Sequence, residues 1–354
     1  MRILFFILVI LFVVSCNNTN NRQTNTGSPA GSDIHLTEYF NYGDSGVQTA
    51  GIKMIPVKTP VGTFKVWTKR FGNNPRIKVL LLHGGPAAGH EYMECFESFF
   101  PKEGFEFYEY DQLGAPYSDQ PSDSSLWTIE RFVDEVEQVR KAINADKNNF
   151  YVLGNSWGGI LAMEYALKYQ DNIKGLIVAN MVASIPDYNK YAYDVLAKQM
   201  DPTVFAEIMD IEKRKDFGNP RYEELLMPNF YRKHFCRLDP WPESVVRCFT
   251  HLNSMKVPKE IYVMMQGPSE FGASGRLLNW DIKDRLKEIK VPTLMVGAKY
   301  DTMDPKAMEE QSKRVQKGRY LFCSEGSHLC MWDDQKVFME GVIKFIRDVD
   351  ADKI

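Results

Sequence analysis

Apolar and polar positions along the chain fall into two regimes. From about residue 50, short β-branched and aromatic runs alternate with stretches of helical period, the pattern of a sheet layered with helices. Residues 52–57 and 63–69 flank Pro60-Val61-Gly62 and predict an opening hairpin. Residues 77–82 are almost continuously apolar, as a strand buried on both faces must be, and 105–110 and 150–153 read the same way. Between the last two, Phe132, Val136, Val139 and Ile143 recur at helical spacing. A strand over 173–179 follows a helix that begins near Trp157. After Asn180 the alternation stops. Residues 183–276 are rich in Met, Tyr, Phe and charge, carry several prolines and hold no clear strand, which predicts an inserted helical cap. The alternation then resumes with a helix over 281–289, a strand over 293–296, a helix over 305–315, a strand over 320–323 and a last helix over 334–347. On this division 36–182 and 277–354 form one α/β core with a mostly parallel central sheet, and 183–276 is its cap.

The first residues follow neither regime. Arg2 precedes a twelve-residue apolar run from Ile3 to Val14. As a helix it would rise about 18 Å, too little for a hydrocarbon core of roughly 30 Å, so it reads as the apolar region of a secretory signal over 1–16. The run ends in Val13-Val14-Ser15-Cys16, which resembles a bacterial lipobox. That resemblance implies that Cys16 is lipidated and that the protein sits in the bacterial cell envelope, periplasmic or surface-facing, with the membrane as partner through its lipid. The following stretch of Asn, Thr, Ser and Gly has almost nothing to bury, and 17–35 is expected to be a flexible tether.

Composition narrows the picture further. A formal net charge of −3 and a pI near 6.1, without any long basic run, argue against nucleic acid as a partner. No zinc-type Cys/His cluster or other pattern calls for a metal or a cofactor. Beyond Cys16 the five cysteines are scattered and odd in number, so they do not make a disulfide framework. Cys236 and Cys248 are able to pair in an oxidising compartment, although spacing does not establish it.

The chemistry is concentrated in a few short motifs. Gly154-Asn155-Ser156-Trp157-Gly158 fits the G-x-S-x-G nucleophile elbow, between an apolar strand and a helical run. A serine hydroxyl needs a base, and the elbow's chain order is serine, acid, histidine. Of six histidines only His328 follows a late strand, in a loop before the final helix, and it is the expected general base. Asp301, just beyond the strand over 293–296, is the expected acid that orients it, with Asp304 as the rival three residues on. His83-Gly84-Gly85-Pro86 follows another strand end, where the backbone amides of Gly85 and Trp157 are expected to form an oxyanion hole. His83 itself reads as a brace for that loop. The fold class that follows is the α/β-hydrolase fold.

Taken together, His83-Gly84-Gly85-Pro86, Asp111-Gln112-Leu113-Gly114, the elbow with Gly159, and Tyr300-Asp301 before Pro305 resemble the proline iminopeptidase family. Gly267-Pro268-Ser269-Glu270-Phe271 and Ser327-His328-Leu329 are similar to the branch containing the tricorn-interacting aminopeptidase. The resemblance covers roughly residues 40–348. It implies a serine exopeptidase that releases N-terminal proline from short peptides with a free N-terminus, by way of an acyl-enzyme. It also implies that cap carboxylates hold the substrate ammonium, Glu270 matching one of them. A second family glutamate directly follows the triad aspartate, and Thr302 stands there instead, with Asp304 as a substitute charge. The competing enzymatic reading is a general amidase or esterase on the same scaffold. From another class comes a catalytically silent surface binding protein, which the complete set of serine, acid and histidine disfavours.

Overall fold

The protein is described here by a computed structural model over residues 36–354; the signal, lipobox and tether readings, Cys16 included, lie outside the described residues. Eight strands form one sheet: β1 (Ile52–Thr59), β2 (Gly62–Phe71), β3 (Lys78–Leu82), β4 (Glu106–Tyr110), β5 (Phe150–Asn155), β6 (Gly175–Ala179), β7 (Pro292–Ala298) and β8 (Lys317–Cys323). Their order is β1-β2-β4-β3-β5-β6-β7-β8. The first hairpin pairs antiparallel and β2 joins β4 antiparallel, whereas every pairing from β4 through β8 is parallel.

Successive side chains on β3 point to opposite faces, as period two requires. Leu80 and Leu82 enter one hydrophobic cluster, with Phe132, Val136 and Leu161 from the helices Ile129–Ala142 and Trp157–Tyr169. Val79 and Leu81 enter the other, with Phe338, Val342 and Phe345 of the helix Gln335–Asp350. Helices thus cover both faces, which is why β3, β5 and β6 carry so few polar residues. The helix Ile129–Ala142 starts where the Thr128 hydroxyl accepts the Arg131 amide, at 3.3 Å, satisfying one of the open donors of its first turn.

Between β6 and β7 the chain is helical, with α-helices Ile185–Tyr191, Pro202–Lys213, Pro220–Leu226, Glu243–Ser254 and Lys256–Met265, and a π-helical stretch at Met227–Phe235. The expected helix over 281–289 is instead a 3-10 turn at Lys283–Glu288. Its buried Ile282, Leu286 and Ile289 imitate a helical period. The segment is pinned at its two ends, by a bridge from Asp281 to Ser184 and by the Gln316 amide on the Ile289 carbonyl. Cys236 and Cys248 are separate, buried thiols rather than a disulfide. Among the described residues no helix is long and apolar enough to cross a membrane.

Candidate active site

The segments at the carboxyl ends of β3, β5 and β8 line one cavity of about 430 Å³, the place where open α/β sheets present their loops. β5 runs into the helix Trp157–Tyr169 through a single residue, Ser156, at φ 56° and ψ −126°. A non-glycine residue there is strained and is held by its surroundings. The flanking glycines explain how. A Cβ on Gly154 would lie 2.0 Å from the Gly158 carbonyl oxygen, and one on Gly158 would lie 1.9 Å from that of Leu82. Only bare backbone lets strand and helix close on each other, and the Ser156 side chain is left lining the cavity.

Asp301 lies beyond β7 and is fully buried. Its Oδ1 accepts the Nδ1 proton of His328 at 2.7 Å and the Met303 amide at 3.2 Å. With Nδ1 donating, Nε2 of His328 is the unprotonated nitrogen. It is buried, makes no hydrogen bond, and lines the same cavity as Ser156. Burial alone would push the imidazole down; the Asp301 carboxylate and its hydrogen bond, with Glu270 adding to them, hold it above its ordinary range instead. The rival acid, Asp304, caps the helix Pro305–Arg314 by accepting the Lys306 amide at 2.9 Å.

Thr302 is also fully buried, and its hydroxyl lies 3.1 Å from His328 Nδ1 and 3.4 Å from Asp301 Oδ1. It therefore touches the back of the imidazole, and it is not among the residues that line the cavity.

The Gly85 and Trp157 amides lie on the two loops that meet at Ser156. Gly85, at φ 110°, lines the cavity, and Trp157 opens the helix whose first amides have no intrahelical acceptor. His83 is fully buried and uses its ring to hold the loop: Nδ1 donates to the Gly84 carbonyl at 2.8 Å and Nε2 accepts the Gln112 amide at 3.0 Å. Gln112 in turn accepts from the Trp157 indole at 2.8 Å, so the two halves of the loop pair are cross-braced.

Glu270 comes from the helical insertion and is 6 % exposed. Its Oε1 accepts one hydrogen bond, from the Tyr262 hydroxyl at 2.7 Å, and among the described residues it has no cationic partner. Tyr231 takes its amide at 3.4 Å, and Tyr188 donates to its carbonyl. Burial pushes its carboxyl above the ordinary range, while His328 and the Tyr262 bond oppose that. A nearly dry carboxylate facing the serine's cavity is a receptor for a cation.

Two arrangements escape the sequence reading. The first is a hydrogen-bonded chain. The Gly84 amide donates to Tyr92 Oη at 2.7 Å, Tyr92 to Asn155 at 2.9 Å, Asn155 to Asn180 at 3.3 Å, and Asn180 to Asp301 Oδ2 at 2.7 Å. It joins the loop of Gly84 to Asp301. The second is a clasp from the end of the π-helical stretch. The His234 and Phe235 carbonyls accept the His328 and Leu329 amides, both at 2.9 Å, and His234 Nδ1 donates to the Tyr300 carbonyl at 2.9 Å. Asn155 was visible only as the variable position of the elbow, and nothing local in the sequence marks the others.

Comparison with known proteins agrees with this geometry. The profile of the alpha/beta hydrolase fold matches residues 78–335. The chain is 74% identical over 301 residues to the proline iminopeptidase of Flavobacterium johnsoniae, covering 85% of this chain and 100% of that one. It is 72% identical to that of Elizabethkingia meningoseptica, over 84% of this chain and 99% of that one. A crystal structure of a proline iminopeptidase from Mycobacterium smegmatis is 26% identical, with a TM-score of 0.75, covering 86% of this chain and all of that one.

Proposed function

Because the chain belongs to the alpha/beta hydrolase fold family and, within it, to the proline iminopeptidases, we infer that it is a serine exopeptidase that releases N-terminal proline from short peptides. The observation that carries this reading is Glu270, a buried carboxylate without a cation that lines one cavity with Ser156 and His328. The substrate's ammonium neutralises Glu270, which places the first peptide bond, and no later one, at the serine. Ser156 Oγ attacks that carbonyl while His328 Nε2 takes its proton, and Asp301 stabilises the imidazolium that forms. The amides of Gly85 and Trp157 receive the oxyanion. As the tetrahedral intermediate collapses, His328 hands its proton to the departing amine. Water, activated by the same imidazole, then releases proline from the acyl-enzyme.

The test is hydrolysis of prolyl-naphthylamide beside its N-acetyl form. The free amine is expected to be cleaved and the acetylated one poorly, and Ser156→Ala is expected to abolish turnover of both. Glu270→Gln should raise KM for the free amine by a factor of tens or more, because losing a buried charged contact costs about 2–5 kcal/mol. Efficient cleavage of the acetylated substrate would leave a general amidase in its place.

The same inference extends to location. Val13-Val14-Ser15-Cys16 after an apolar run supports a lipid on Cys16 and an envelope site, with 17–35 as tether. Cys16→Ala is expected to abolish lipid labelling and release the protein from the membrane fraction; retention without lipid would refute the anchor.

A further inference from the structure

The cavity is lined by charges of both signs. Its buried acid is Glu270; among its other lining residues is an exposed cation, Lys259. Both belong to one local frame. Lys259, Tyr262 and Val263 fall on one face of the helix Lys256–Met265 and all line the cavity, and Tyr262 is the residue that holds Glu270. Three residues of helix separate Lys259 from Tyr262, about 4.5 Å of rise, with the lysine's four-carbon stem beyond that. Its neighbour Lys256 pairs with Glu260, whereas Lys259 has no ion-pair partner among the described residues.

A second exposed charge on the cavity lining is Glu223, from the helix Pro220–Leu226, which likewise has no ion-pair partner among the described residues. It repels a carboxylate, and so favours Lys259 as the place where one would settle. An extended dipeptide spans at most about 7 Å and a tripeptide about 10 Å, so in such a peptide the ammonium and the carboxylate enter the cavity together.

We propose that Lys259 binds the C-terminal carboxylate of the substrate, so that the preferred substrates are free di- and tripeptides, held as zwitterions between Glu270 and Lys259. This rests on the exopeptidase reading of the same cavity. Length selection follows from it: a longer peptide carries its carboxylate past the lysine and gains nothing from the contact, and a peptide amide offers no charge at all.

The experiment measures KM and kcat for Pro-Ala and Pro-Ala-Ala beside their C-terminal amides, with prolyl-naphthylamide as a reference that has no carboxylate. In the unaltered enzyme the free acids are expected to have a KM about fivefold below the amides, with similar kcat, the advantage shrinking as salt is added. Lys259→Met, which keeps the stem and removes the charge, should bring acids and amides together, and Lys259→Arg should restore the gap. An acid-to-amide ratio that Lys259→Met leaves intact, or a preference of the unaltered enzyme for the amides, would overturn the proposal. A different result marks failure of the underlying reading: if N-acetylprolyl-naphthylamide is cleaved as well as the free amine, both inferences fall.

Discussion

Glu109, on β4, has both carboxylate oxygens buried and without a hydrogen-bond partner. Like Glu270 it is a buried acid without an ion-pair partner among the described residues, but it does not line the cavity of Ser156. Burial pushes its carboxyl from the ordinary range up to about 8; His90 and Lys69 oppose this and Glu97 and Glu94 add to it. In the unfolded chain the group loses its proton near pH 4.5, so between there and about pH 8 the folded state holds more protons than the unfolded one. Stability from this group is therefore complete at low pH and is lost as pH rises towards 8. Glu109→Gln is expected to flatten that part of the pH dependence and to make the protein more resistant to urea than the parent at about pH 9. Parallel unfolding midpoints for the two proteins from pH 5 to 9 would sink the argument. This residue was not legible beforehand. Phe105 to Tyr110 read as a buried strand, and the sequence does not show that Glu109 would find no partner.

At the scale of elements, the decisive junction is the end of β6. Asn180, at φ 55°, donates to Asp301 Oδ2 at 2.7 Å and to the Ser327 carbonyl at 3.2 Å, tying the loops after β7 and β8 to the strand between β5 and β7. Asn180→Ala removes a hydrogen bond to a buried carboxylate, worth about 1.5–3 kcal/mol. A fall in kcat of about ten- to a hundredfold with KM little changed is expected. A wild-type kcat would show that Asp301 needs no help from β6. The strands themselves were readable because β3, β5 and β6 are largely apolar on both faces and β4 is aromatic apart from Glu106 and Glu109, and Ser156, Asp301 and His328 were readable because each stands just past a strand end. Asn180 stands past one too, but an asparagine after a strand is as often a simple turn. The 281–289 segment failed as a helix for a related reason: its apolar spacing is real, and the bridge at Asp281 that limits it comes from residues almost a hundred positions away.

For the molecule as a whole, the α/β alternation located the sheet and its helices, and the loss of alternation located the helical insertion. What patterning leaves out is how that insertion meets the sheet, because those bonds join residues far apart in the chain. The clasp is the instance that matters most. The carbonyls of His234 and Phe235 hold the very loop that carries His328, and the His234 ring holds the carbonyl next to Asp301. Swinging the insertion aside like a hinged cover would have to break these bonds to the loop that carries His328, so an entry route that leaves them intact, with the peptide threaded in end-first, is the one this arrangement favours. A folded protein whose first residue lies flat on its surface has nothing to thread.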